Sequence, residues 1–118
     1  MLRILIPLLS LSLASHAEVR KEYYENGHVE IEESYENGVR HGPAKSYFES
    51  GKLEAEMHYA NGKREGLTKS YYENGQLESV VNYREGRREG VLKSYHPDGR
   101  VESEVLFKQG VPVRSPRP

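Results

Sequence analysis

The sequence predicts an all-β protein: an elongated antiparallel meander of about eight strands, built from β-hairpin repeats. Three observations predict it. Residues recur at one fixed period. The segments between turns alternate apolar with polar side chains. Glycine follows asparagine or aspartate where the chain must reverse.

The period is 24 residues, and four copies fit the chain. Tyr23, Tyr47, Tyr71 and Tyr95 form one column, and Glu30, Glu54, Glu78 and Glu102 a second. Gly27, Gly51, Gly75 and Gly99 keep the same step, as do Gly38, Gly62, Gly86 and Gly110. Tyr35, Tyr59, Tyr83 and Phe107 follow, then Gly42, Gly66 and Gly90, then the pairs Lys45-Ser46, Lys69-Ser70 and Lys93-Ser94. So many columns in one phase mark a repeat protein, in which each unit covers its neighbour. The repeats are read as residues 23–46, 47–70, 71–94 and 95–110.

Composition sets the outer limits. The chain has 118 residues, 30% of them charged, with nine Tyr, two Phe and no Trp. That suffices for one small domain. The formal net charge is −1, so no basic stripe is available to displace counterions from nucleic acid. Cysteine is absent, which removes disulfides, thiolate metal sites and cysteine nucleophiles.

Residues 1–17 have the layout of a secretory signal peptide. Arg3 supplies a positive start, an apolar run extends from Ile4 to Leu13, and Ser15 and Ala17 are the small residues of a cleavage site. The run is too short for a spanning helix, which needs about 20 apolar residues. Localisation in the periplasm or outside the cell is expected. Residues 18–22 are short and charged and are read as a lead-in.

Within each repeat two strands are expected. The first ends in the tyrosine column, as in Leu67-Thr68-Lys69-Ser70-Tyr71-Tyr72. In the second, Leu53, Ala55, Met57 and Tyr59 alternate with Lys52, Glu54, Glu56 and His58. Period-two alternation gives a strand with one packed face and one wet face. Asn26-Gly27, Ser50-Gly51, Asn74-Gly75 and Asp98-Gly99 are read as tight hairpin turns, since such pairs accept positive φ. The stretches from Gly38 to Gly42, Gly62 to Gly66 and Gly86 to Gly90 are read as longer, basic turns with a bulge. The tyrosine columns are expected to form cross-strand aromatic ladders. Residues 111–118 are Pro-rich and are read as a tail.

No catalytic constellation emerges. The carboxylates of the Glu30 column would stand two strand spacings apart, about 9–10 Å, too far to share one ion. They are read instead as a solvated face near Lys45, Lys69 and Lys93. His28, His41, His58 and His96 occupy different repeat phases, so they offer no metal site. The chain is expected not to be an enzyme and to need no cofactor and no metal. The pairs Lys63-Arg64 and Arg87-Arg88 sit beside Glu65 and Glu89 and are read as solvated turns, with lipid headgroups as a weaker alternative.

The run from Tyr59 to Gly66, with YYENGQL from Tyr71 to Leu77, resembles the MORN repeat, and most closely its bacterial YwqK-type, antitoxin-like variant. The resemblance covers residues 23–110. It implies a twisted sheet of consecutive hairpins used as an interaction scaffold, with a toxin as partner in the antitoxin case. One column departs from the variant's pattern: Ala44, Thr68 and Leu92 stand where an aromatic is usual. The expected partner is another protein, with no nucleic acid. The candidate contact face is Tyr47, Tyr71 and Tyr95 together with Tyr59 and Tyr83.

Overall fold

The structure is a computed structural model and describes residues 3–4 and 16–114. Alternating side chains and recurring turns give eleven strands among the described residues. They are β1 (Arg3–Ile4), β2 (Ala17–Tyr23), β3 (Val29–Glu36), β4 (Val39–Tyr47), β5 (Leu53–Ala60), β6 (Lys63–Arg64), β7 (Gly66–Tyr71), β8 (Leu77–Arg84), β9 (Arg87–Tyr95), β10 (Val101–Lys108) and β11 (Val111–Val113). All lie in one antiparallel sheet, in chain order, with β6 pairing β5 beside β7.

The strand count exceeds the expected eight for identifiable reasons. β6 and β7 are one strand broken at Glu65, whose N–H donates to the His58 carbonyl. The lead-in at residues 18–22 is a full strand. Its charges are compatible with pairing because β3 supplies the ladder, from Ala17↔Glu36 to Tyr23↔Val29. Part of the supposed tail is a strand too: Val111–Val113 pair with Leu106, Phe107 and Lys108. Residues 115–118 lie outside the described residues, as does most of the predicted leader. From that leader Arg3 and Ile4 form β1, opposite Glu22 and Lys21.

The two turn types are exchanged relative to expectation. The tight turns are Asn37-Gly38, Asn61-Gly62, Glu85-Gly86 and Gln109-Gly110. Both residues of each have positive φ, 51° and 81° in the first, and they join directly paired residues such as Glu36↔Val39. This is the two-residue hairpin whose twist matches that of the strands. The Asn26-Gly27 turn is the longer one. Gly27 N–H donates to the Tyr24 carbonyl and Tyr24 N–H to that of His28, leaving a three-residue loop closed by Gly27 at φ 93°. A register shift between Glu22 and Tyr23 leaves the extra residue.

Gly42, Gly66 and Gly90 stand opposite Tyr59, Tyr83 and Phe107. All three have positive φ, 108°, 89° and 91°, a conformation that glycine adopts without steric cost. The core is thin. Only Ala44 (3%), Val81 (5%) and Phe107 (7%) are buried among the described residues. The molecule measures 62 × 35 × 18 Å with a radius of gyration of 17.0 Å. A compact chain of this length would have a radius of about 13 Å.

Candidate interaction site

The sheet offers two large faces, and register assigns every side chain to one of them. Ala44↔Met57, Ser46↔Ala55, Ala55↔Ser70, Thr68↔Val81 and Leu92↔Val105 lie on the face that carries Tyr35, Tyr59, Tyr83 and Phe107. We call it the ring face. All three buried residues belong to it.

On the ring face the aromatics do not stack on one another. Arginines interleave with them. The guanidinium of Arg20 lies 3.8 Å from the Tyr35 ring centre, Arg40 5.3 Å from Tyr59, Arg64 5.0 Å from Tyr83 and Arg88 5.2 Å from Phe107. Tyr35, Arg40, Tyr59, Arg64, Tyr83, Arg88 and Phe107 form one alternating row. Rings of one column stand two strands apart, about 9–10 Å, which leaves room for a planar cation between them. Arg64 therefore does not sit in a solvated turn: it donates to the Tyr83 hydroxyl at 3.1 Å and also reaches Met57 Sδ. Arg88 donates to the same hydroxyl at 3.4 Å. Burial raises the Tyr83 pKa, but the Arg88 hydrogen bond and the charges of Arg64 and Arg88 outweigh it, and the net shift is downward.

The opposite face carries Lys21↔Glu32, Glu32↔Lys45, Lys45↔Glu56, Glu56↔Lys69, Lys69↔Val80, Val80↔Lys93 and Lys93↔Glu104. This is one cross-sheet row of alternating charge, interrupted only at Val80. The lysine partners are thus Glu32, Glu56 and Glu104, not the Glu30 column. That column is not uniformly solvated either. The Glu30 Oε1 is buried without a hydrogen bond, and Glu54 accepts from the Ser46 hydroxyl at 3.2 Å. Tyr71 also belongs to this lysine face, because its hydroxyl donates to Glu56 at 3.0 Å. Desolvation and that carboxylate raise its pKa.

The five candidate tyrosines therefore do not share a face. Tyr59 and Tyr83 lie on the ring face. Tyr71, and by the repeat Tyr47 and Tyr95, lie on the lysine face. Counting in twos fails here because it cannot be carried through the three-residue loop, and register shifts fall between Ser46 and Tyr47 and between Ser70 and Tyr71. The arginine column was missed, although Arg40, Arg64 and Arg88 are 24 apart and open to the same reading as the glycines.

A second row on the lysine face is apolar on β9 to β11, while on β7 and β8 the exposed Asn82 stands opposite Leu67. Leu67 pairs with Asn82, Val91 with Leu106, and Leu106 with Val113. Leu67, Val91, Leu106 and Val113 are between 38% and 50% exposed. They cluster on β7 to β11, with Val80 beside them.

Along both long edges each turn is held by the preceding repeat. His41 Nδ1 accepts from Asn61 N–H, Glu65 from Glu85 N–H and Glu89 from Gln109 N–H, at 2.9–3.2 Å. On the other edge Asn26 donates to the Glu49 carbonyl and Asn74 to that of Pro97. The Tyr24 and Tyr72 hydroxyls donate to the Tyr47 and Tyr95 carbonyls at 2.6 Å. Such contacts couple each repeat to the next. No deep pocket converges among the described residues. One recess, about 390 Å³, opens between turns and is lined by Lys63, Arg84, Glu85, Arg87, Glu89 and Gln109. The described residues contain no group of three or more potential metal ligands, and no helix long and apolar enough to cross a membrane.

A single sheet of coupled hairpins with two unlike faces defines a repeat scaffold. Its family follows from comparison with known proteins. The MORN repeat variant family model matches residues 19–37, 40–61, 64–85 and 88–109, and the chain belongs to that family. Repeats of this family generally serve as non-catalytic modules that bind proteins or membranes. The family's phase differs from the one read off the tyrosines: three of its copies open on Arg40, Arg64 and Arg88. No curated protein and no solved structure matches the chain.

Proposed function

We propose that this chain is a non-enzymatic, exported scaffold that holds another protein against the lysine face of β7 to β11. The observation that carries this reading is the exposed row Leu67, Val91, Leu106 and Val113, each at least 38% accessible. Contiguous exposed apolar side chains with a charged border characterise protein contact sites. Here Lys69, Lys93 and Glu104 form the border. Export is supported by the leader-like layout of residues 1–17.

Photo-crosslinking from positions 67, 91 and 106, with position 83 on the ring face as control, tests the surface. A reproducible adduct from the first three only is the expected result. Adducts from position 83 alone would overturn the assignment. Export is tested by fractionation and N-terminal sequencing of the recovered protein. A chain retained in the cytoplasm with Met1 intact would refute it.

A contact with anionic lipid headgroups is a second reading. Lys63, Arg84 and Arg87 meet in one recess and favour it, while Glu85 and Glu89 in the same recess oppose it. Liposome sedimentation decides, since headgroup binding must weaken with salt. In the finer YwqK-type reading the partner is a toxin, and an exported chain would then require an exported toxin.

A further inference from the structure

Both ends of the sheet display a strand edge, and the two edges are complementary. At one end β11 covers only the Leu106–Lys108 stretch of β10. Beyond Val113 the chain leaves the ladder at Arg114. Among the described residues no strand pairs the outer edge of residues 103–105. At the other end, among the described residues, β2 is covered only by β1, which meets Glu22 and Lys21.

The repeat says what would fit beside β10. Glu32 pairs with Lys45 and Glu56 with Lys69 on the strand that follows. Glu104 occupies the same phase, 72 residues after Glu32, and the lysine of that phase in the first strand is Lys21, 24 before Lys45. By the register of β3 on β4, Glu104 would meet Lys21, and residues 103 and 105 would meet Glu22 and Arg20. Glu32 and Glu56 each have a lysine on both sides. Among the described residues Glu104 has one only, Lys93 at 3.9 Å, with the Glu104 side chain 52% exposed. Lys21 likewise has Glu32 at 3.6 Å on one side. β1 shows that the β2 edge accepts an antiparallel strand, and it does so at Lys21 and Glu22, the positions β10 would take.

We propose that residues 103–105 of β10 add in register to residues 20–22 of β2 in a second copy of this chain, filling the slot that β1 fills within one chain. The added strand extends the lysine–glutamate row from one molecule into the next. Main-chain hydrogen bonds supply the attraction and the charge row supplies the register. The contact joins different patches, so it does not close on itself and permits linear chains of copies. β1 is then a plug, and its loss, as signal-peptide cleavage would cause, opens the edge. The inference rests on the scaffold reading only in taking the chain as an interaction module. It uses the edges, whereas partner capture is assigned to the apolar row.

The full chain has no cysteine, so two labels suffice. Full-length Glu22→Cys and Ser103→Cys, which keep the Lys21 and Glu104 charges, are mixed and treated with a short bismaleimide under native conditions, and the products are mapped by mass spectrometry. The expected product joins 22 of one copy to 103 of another. Ile4→Pro in both chains, which removes β1 from the ladder, should raise its yield and shift the population from monomer toward dimer and longer species. In that Ile4→Pro mixture, exclusive 22–22 or 103–103 products, or no cross-link at any concentration, overturn the proposal. If Ile4→Pro prevents folding, Arg3→Gly with Ile4→Gly weakens β1 in its place, and the same readout decides. Failure here with the position 67, 91 and 106 adducts retained would sink self-association and leave the scaffold reading standing.

Discussion

The two faces of this sheet share a backbone, a period and a set of turns, yet they are built on different physics. The ring face removes surface from water: Ala44, Val81 and Phe107 are buried there, and arginine planes fill the gaps between rings. The lysine face leaves its charges wet and pairs them in a row. Apolar burial contributes about 25 cal/mol per Å². An exposed ion pair contributes about 0–1 kcal/mol. The difference teaches that one face holds the fold and the other is free to vary, which is where an exposed apolar row can be carried without cost to the core.

Adjacent residues of β10 give the sharpest test. Phe107 is 7% exposed and Leu106 40%, and they point to opposite faces. Phe107→Ala should cost about 3 kcal/mol, since it removes a buried ring and takes away the aromatic partner of Arg88. Leu106→Ala should cost about 0.5 kcal/mol or less, as surface substitutions do. Urea unfolding of both variants measures the contrast. Equal losses would mean that the faces are not energetically distinct.

Arg64→Gln comes next. It removes a cation from between Tyr59 and Tyr83 and leaves the Tyr83 hydroxyl with one donor fewer. The expected loss is about 1 kcal/mol, the scale of a partly desolvated cation–π contact. Lys69→Gln on the opposite face should change stability by about 0.5 kcal/mol or less. If the two match, the arginine row is ornament on a fold held elsewhere.

The tyrosines allow the faces to be compared within one protein by absorbance near the phenolate band. Tyr83, beside two arginines, should ionise below a tyrosine's ordinary value. Its lowered pKa contributes stability above the ordinary value, lost as pH falls through the lowered one. Tyr71, desolvated and bonded to Glu56, should ionise above its ordinary value. Its contribution is complete below the ordinary value and is lost as pH rises through the raised one. Tyr83→Phe should delete the earliest phase of the titration and Tyr71→Phe a late one. The reverse assignment would break the comparison.

How far the sequence reached follows the same division. The 24-residue period, the hairpins and the alternation along Leu53, Ala55, Met57 and Tyr59 were legible, because they depend on local spacing alone. Which turn is tight was not, since Asn26-Gly27 and Asn37-Gly38 are the same dipeptide. Only the pairing that reaches Glu36↔Val39 separates them. β2 was hidden because a charged segment becomes a strand when a neighbour offers a ladder, which composition does not record. The interleaved arginines were visible as a column but were read as turn charges, since their contacts lie 19 residues away, from Arg64 to Tyr83.

The smallest expected effect concerns the one break in the charge row. Val80 stands between Lys69 and Lys93, where the other repeats place Glu32, Glu56 and Glu104. Val80→Glu would complete the row with a carboxylate directly opposite a lysine on each side. Two exposed pairs should stabilise the sheet by about 0.5 kcal/mol, offset by the lost apolar surface and strand propensity of valine, so the net change at moderate salt should lie near zero. The informative readout is the salt dependence. Ion pairs weaken as the Debye length shortens, so Val80→Glu should be more stable than the parent at low salt and lose that margin by about 1 M. A gain that survives high salt would show that the row acts through packing. A loss at every salt concentration would show that Val80 contributes more through its apolar contacts beside Leu67 and Val91 than the completed charge row can supply.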